Sequence, residues 1–100
     1  MTTYYAIFRR PGSRWNPDKG VREQPLWDEH ARFMDDLFAA GSVVLAGPFA
    51  DRSGSMVIVR GASVHDVRKT YSRDPWTVED VLDVSDVKEW HIFLDGSRLE

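Results

Sequence analysis

Trp27-Asp28-Glu29-His30-Ala31-Arg32-Phe33-Met34-Asp35-Asp36-Leu37-Phe38-Ala39-Ala40-Gly41-Ser42-Val43-Val44-Leu45-Ala46-Gly47-Pro48 is the stretch whose reading decides the fold. Trp27, His30, Ala31, Met34, Leu37 and Phe38 recur at helical spacing and make one apolar face. Glu29, Arg32, Asp35 and Asp36 fall on the opposite side. Pro25 suits the first turn of this helix, Asp28 and Glu29 suit its positive end, and Gly41 suits its C-terminal cap. Val43 to Ala46 then reads as a buried strand that ends at the Gly47-Pro48 turn. One histidine, His30, stands on the apolar stripe where an ordinary core would carry Leu.

Upstream, Tyr4-Tyr5-Ala6-Ile7-Phe8 predicts a first strand, ended by Arg9-Arg10-Pro11-Gly12 with its Pro-Gly turn signal. Ser13 to Gln24 is a long polar loop, of a length that is usually functional or mobile. Within it, Arg14 and Trp15 are the residues able to reach a ligand. Downstream, Met56 to Val59 is a third apolar run. Ser63 and Asp66 form a capping box that opens a second helix, Val64 to about Arg73, with Val64, Val67 and Tyr71 inward and His65 outward. Pro75 disfavours helix in the residue before it, which ends that helix near Asp74. Thr77 to Asp83 reads as a short helical turn and Val84 to Leu94 as the last strand.

The order β-α-β-β-α-β predicts an α+β, ferredoxin-like sandwich: a four-stranded antiparallel sheet with both helices on one face. Two runs, Val43–Ala46 and Met56–Val59, are apolar throughout, as when both faces of a sheet are covered. Two helices cover only one face, so a homodimer through the other sheet face is expected.

One hundred residues predict a single domain over 1–100, with a core at 1–94 and a polar tail at 95–100. The composition, 42% hydrophobic and 29% charged, is that of an ordinary soluble protein. A net charge of −3 with scattered basic residues argues against nucleic acid. There is no cysteine, so thiolate chemistry and disulfides are excluded. No signal-like N-terminus and no membrane-length apolar run is seen, so a cytoplasmic protein is expected.

His30, His65 and His91 lie on different predicted elements without metal-ligand spacing, and no metal is expected. No phosphate loop, flavin or nicotinamide signature and no G-x-S-x-G elbow is present, so no cofactor is expected. His30 remains. On an apolar face a histidine is most often a satisfied core or interface residue. Partly buried, it is also a group that takes and gives protons near neutral pH. It would want a carboxylate to fix its tautomer, and Asp74, at the end of the neighbouring helix, is the candidate. On its own, Asp74-Pro75 also reads simply as a helix-terminating turn.

His30, then Leu45-Ala46-Gly47-Pro48, then Asp74-Pro75-Trp76, with Val84, Val87 and Trp90 in the last strand, resemble the pattern of the YCII-related (YciI-like) family. The resemblance runs from about Tyr4 to Phe93. It departs from the family at Leu26-Trp27, where Arg-Pro is more typical, and through the Arg9–Gln24 loop. It implies a dimeric α+β barrel and a His–Asp active-site pair, here His30 and Asp74. Arg10, Gly47, Pro48 and Trp76 become candidates for lining the pocket. One branch of the family resembles a dehydrochlorinase of chlorinated hydroxyhydroquinones. The expected function is a small cofactor-independent enzyme of lyase or isomerase type, dehydrochlorinase-like, acting on a small cyclic or aromatic compound. A non-catalytic ligand-binding or partner-interaction role on the same fold is the alternative, and a monooxygenase of the related barrel class is the third.

Overall fold

The computed structural model describes residues 2–96. Its chain runs β1 (Thr2–Pro11), a 3-10 turn (Val21–Glu23), α1 (Trp27–Ala39), β2 (Val43–Pro48), β3 (Ser55–Val59), α2 (Val64–Tyr71), α3 (Pro75–Val78) and β4 (Leu82–Ile92). The four strands form one antiparallel sheet in the order β2-β3-β1-β4, the ferredoxin-like arrangement. Of the expected polar tail, residues 97–100 lie outside the described part. No helix among the described residues is long and apolar enough to cross a membrane.

Side-chain alternation along the sheet sets its two faces. Tyr5, Ile7, Val43, Val57, Val59 and Val87 pack with Val67 and Tyr71 of α2 into the main core, which Phe33, Met34 and Leu37 of α1 partly cover. A second, smaller cluster of Trp76, Val81 and Leu82 packs with Trp15, Val21, Leu26 and Trp27. On the other side of the sheet, Ala6 pairs with Ile58, Phe8 with Met56, Leu45 with Ile58 and Tyr4 with Trp90. No helix covers that side. Leu45 is 66% exposed and Trp90 47%.

Several boundaries differ from the sequence reading, each for a local reason. β1 continues past Phe8 through Arg9, Arg10 and Pro11, paired with Val84, Asp83 and Leu82. A bulge lets this happen: Ser85 is passed over between the Phe8–Asp86 and Arg9–Val84 pairs, and its Oγ donates to the Phe8 carbonyl at 3.0 Å. Pro25 lies before α1 rather than in its first turn, because Leu26 takes a left-handed conformation (φ 61°) as the N-cap. Phe38 is exposed, not part of the buried stripe; Phe33 packs on the core instead.

Gly41 (φ 82°) ends α1 as expected, with its N–H on the Phe38 carbonyl and that of Ser42 on Leu37. Ser63 caps α2 by accepting from the Asp66 N–H. Asp74-Pro75 does more than stop α2. Pro75 is the first residue of α3 and Asp74 is its N-cap, so the expected helical turn at Thr77–Asp83 sits earlier and β4 begins at Leu82.

Candidate functional site

The site lies where the two cores meet, and it starts from one carboxylate. Asp74 is fully buried (0% exposed), and its carboxylate faces three donor groups. Its Oδ1 caps α3 by accepting the Trp76 backbone N–H at 2.9 Å. Its Oδ2 accepts from Arg9 Nη1 at 2.8 Å. The Nδ1 of His30 lies 2.8 Å from Oδ2 and 3.0 Å from Oδ1. A buried carboxylate is tolerable only when paired and hydrogen-bonded, and here it is both.

Each partner arrives from a different element. His30 stands in the first turn of α1, its ring edge toward Asp74 and its face on Trp76 of α3. The imidazole and indole are stacked, with centroids 3.7 Å apart and planes 5° from parallel. Trp76 is held in turn by its Nε1, which donates to the Pro25 carbonyl at 2.6 Å. Trp27 and Trp15 pack against Trp76, so three indoles surround the imidazole's side of the molecule. Arg9 enters from β1. The strand's alternation that buries Tyr5 and Ile7 also turns Arg9 toward the helices, where it is 5% exposed and its guanidinium lies 5.5 Å over the Tyr71 ring.

In front of this group opens a cavity of about 310 Å³. His30, Arg9, Met34, Trp15, Trp27 and Trp76 form its inner wall, and Gly47, Pro48, Phe49 and Arg52 of the β2–β3 hairpin form its outer one. With Nδ1 turned to Asp74, the nitrogen that His30 leaves for a ligand is Nε2. Asp74 fixes the tautomer by holding the proton on Nδ1, which makes Nε2 the basic atom. Such an arrangement can take a proton from a bound compound and return it. Most of the cavity's wall is apolar.

Gln24 shapes the loop that carries Trp15. Its amide accepts the Asn16 N–H at 2.8 Å and donates to the carbonyls of Asn16, Lys19 and Gly20. Ser13 bonds Asp80 through both its N–H and its Oγ, and these bonds hold the Asp80 carboxyl below the usual carboxylate range. Burial pushes the Tyr71 phenol up to about 12; Arg9 opposes that shift and Asp74 adds to it.

Of the residues singled out in the sequence, the structure brings His30, Asp74, Gly47, Pro48 and Trp76 together around this one cavity. Arg10 is not among them. It points from the opposite side of β1, is exposed, and does not line the cavity. Arg9 takes that place, and the period of two running through Tyr5 and Ile7 is the signal that finds it. In the loop, Trp15 lines the cavity, as does Val21, while Arg14 lies on the surface 3.5 Å from Glu79. Among the described residues no group of three or more His, Cys, Asp or Glu is placed to hold a metal ion.

Fold and site together define a ferredoxin-like α+β protein with a histidine–aspartate pair behind an aromatic cavity. Residues 5–91 match the model of the YCII-related domain, and the chain belongs to that family. Among solved structures it is similar to a 5-chloro-2-hydroxyhydroquinone dehydrochlorinase (TftG) from Burkholderia phenoliruptrix AC1100, in complex with 2,5-dihydroxybenzoquinone. That match has a TM-score of 0.63 at 18% identity, covering 94% of this chain and 97% of the other. The likeness is one of fold. No curated protein matches the sequence.

Proposed function

We propose that this protein is an acid/base catalyst of lyase or isomerase type acting on a small cyclic or aromatic compound. His30 is the general base and acid through Nε2, and Asp74 orients the imidazole and stabilises its charged form. The observation that carries this reading is the 2.8 Å contact between His30 Nδ1 and the buried Asp74, with the ring's other edge left for the aromatic cavity. Elimination needs little more than a placed base and a pocket that excludes water.

For a chlorinated hydroxyhydroquinone the balance closes without an external oxidant. A proton goes to Nε2, chloride leaves with its electron pair, and the ring is left at the quinone level by net loss of HCl. The dehydrochlorinase of similar fold makes 5-chloro-2-hydroxyhydroquinone the first compound to try. Chloride release by the wild-type chain should fall at least about 100-fold in His30→Asn, with unchanged circular dichroism. Wild-type turnover in that variant would sink the assignment.

A second reading, a non-catalytic ligand-binding or partner-interaction role, has one observation in its favour. Besides His30, no Asp, Glu, Lys, Cys or Tyr lines the cavity among the described residues to serve as a second acid or base. Binding without chloride release by the wild type would select it. The proposal extends to assembly: the uncovered sheet face, with Leu45, Met56, Ile58, Phe8 and Trp90 upon it, pairs two copies of the chain.

A further inference from the structure

The charges around the cavity do not cancel. Arg9 and Arg52 both line it, whereas no Asp or Glu does so among the described residues. Arg9 is already matched, because its Nη1 lies 2.8 Å from Asp74. Arg52 has no such match: among the described residues no carboxylate lies within ion-pair distance of it. Its sequence neighbour Asp51 is turned to Ser53 instead, accepting that residue's N–H at 2.9 Å and its Oγ at 2.6 Å.

Arg52 is also held in place. Its Nη2 donates to the Lys19 carbonyl at 3.2 Å and reaches the Pro17 carbonyl at 3.5 Å, so the guanidinium bridges the β2–β3 turn and the Gln24-organised loop across the cavity mouth. Those bonds use Nη2 and leave the N–H groups of Nη1 and Nε, on separate edges of the guanidinium, as charged donors for an anion. The backbone at Arg52 is left-handed (φ 66°), a position that Gly or Asn occupies with less strain. An arginine there is conformationally disfavoured, and no internal ion pair offsets that strain.

We infer that the cavity's ligand is a planar monoanion: one aromatic or quinonoid ring among the indoles, with a carboxylate or ionised hydroxyl on Arg52. This rests on the reading that the His30 cavity is the substrate site, and it adds the ligand's charge and orientation. The volume agrees. At about 310 Å³ the cavity has room for a substituted aromatic ring, since an apolar cavity of about 150 Å³ already takes benzene. The anion at the mouth and the apolar ring inside set the ring's reacting edge toward His30 Nε2. A neutral compound of the same shape lacks the group that orients it.

The test compares benzoate with benzamide, which share a ring and differ in charge, by isothermal titration calorimetry on the full chain. Benzoate should bind at least about tenfold more tightly, and less so as salt is raised. In Arg52→Gln, which keeps a donor for the Lys19 carbonyl, the benzoate advantage should vanish while benzamide affinity holds. In Arg52→Lys most of the advantage should remain. Equal affinities in the wild type, no binding of either compound, or a parallel loss of both in Arg52→Gln would overturn the inference, the last showing that Arg52 only tethers the loop. His30→Asn keeps the benzoate preference whether or not His30 is a catalyst. A failed charge preference therefore leaves the chloride-release result standing, and a failed chloride-release result leaves the charge preference standing.

Discussion

The imidazole of His30 lies flat on the indole of Trp76, 3.7 Å between centroids, while the residue two before that indole holds the imidazole by its edge. Asp74-Pro75-Trp76 thus fixes the ring in its plane by a hydrogen bond and perpendicular to its plane by a stack. Pro75 makes the two grips rigid with respect to each other, since its ring sets φ at the first position of α3. A base with both degrees of freedom removed needs no reorganisation when a proton arrives.

Substituting the stacked residue separates its roles. Trp76→Phe keeps an aromatic face but loses the bond from Nε1 to the Pro25 carbonyl, and should cost about 1–3 kcal/mol. Trp76→Ala removes the face as well and should cost about 3–5 kcal/mol. Chemical denaturation measures both. Equal losses would mean that the stack contributes nothing.

The pair Arg9–Asp74 should behave as one unit. Asp74→Asn leaves a guanidinium buried without its counter-charge, and Arg9→Met leaves a carboxylate short of one; each single change should cost about 3–5 kcal/mol. Together they should cost far less than the sum. A double-mutant cycle reads the coupling directly, and additivity would refute it.

Tyr71 makes stability depend on alkaline pH. Its hydroxyl is buried, at 1% residue exposure, with no hydrogen-bond partner among the described residues. Its folded pKa, about 12, lies above the ordinary value of 10.0. The folded state therefore binds the proton more tightly, so stability is level below pH 10 and falls as pH rises from there toward 12. Tyr71→Phe should abolish that decline and leave neutral-pH stability equal or higher. Urea midpoints across this range, with tyrosinate absorbance as a second probe, check it.

The open sheet face gives a test of assembly. Leu45 sits on the edge strand β2 and is 66% exposed in the single chain, so Leu45→Asp costs the isolated fold little. Sedimentation velocity should show a dimer for the wild type and a monomer for the variant. A monomeric wild type would end the matter.

Much of this was legible from residue order. His30 stood out because the helical period left it on an apolar stripe; Asp74 was its candidate partner from its place at the end of the neighbouring helix, and the resemblance to YCII-related sequences added the pair. Arg9 did not stand out, since a doublet of arginines before Pro-Gly reads as the polar end of a strand. The bulge at Ser85, past which β1 runs three residues further, has no composition of its own. Pro25 misled for a similar reason: proline favours a helix start, but Leu26 after it is left-handed and packs on the Trp76, Val81 and Leu82 cluster, which is remote in sequence. The inward turn of Trp15 depends on Gln24, a residue with no propensity to announce it.

The Arg9–Asp74 pair joins positions 65 apart, and the His30–Asp74 pair joins positions 44 apart. Both contacts therefore close long loops, and neither exists until segments far apart in sequence have met. A cut in the turn around Asp51–Ser53 would leave Arg9, His30 and the first strand on one fragment, Asp74 and Trp76 on the other. Neither piece would carry a working half. Any proton-transfer competence regained on mixing them would report noncovalent reconstitution of the whole sheet, which makes this small site a built-in sensor of its own chain's completion.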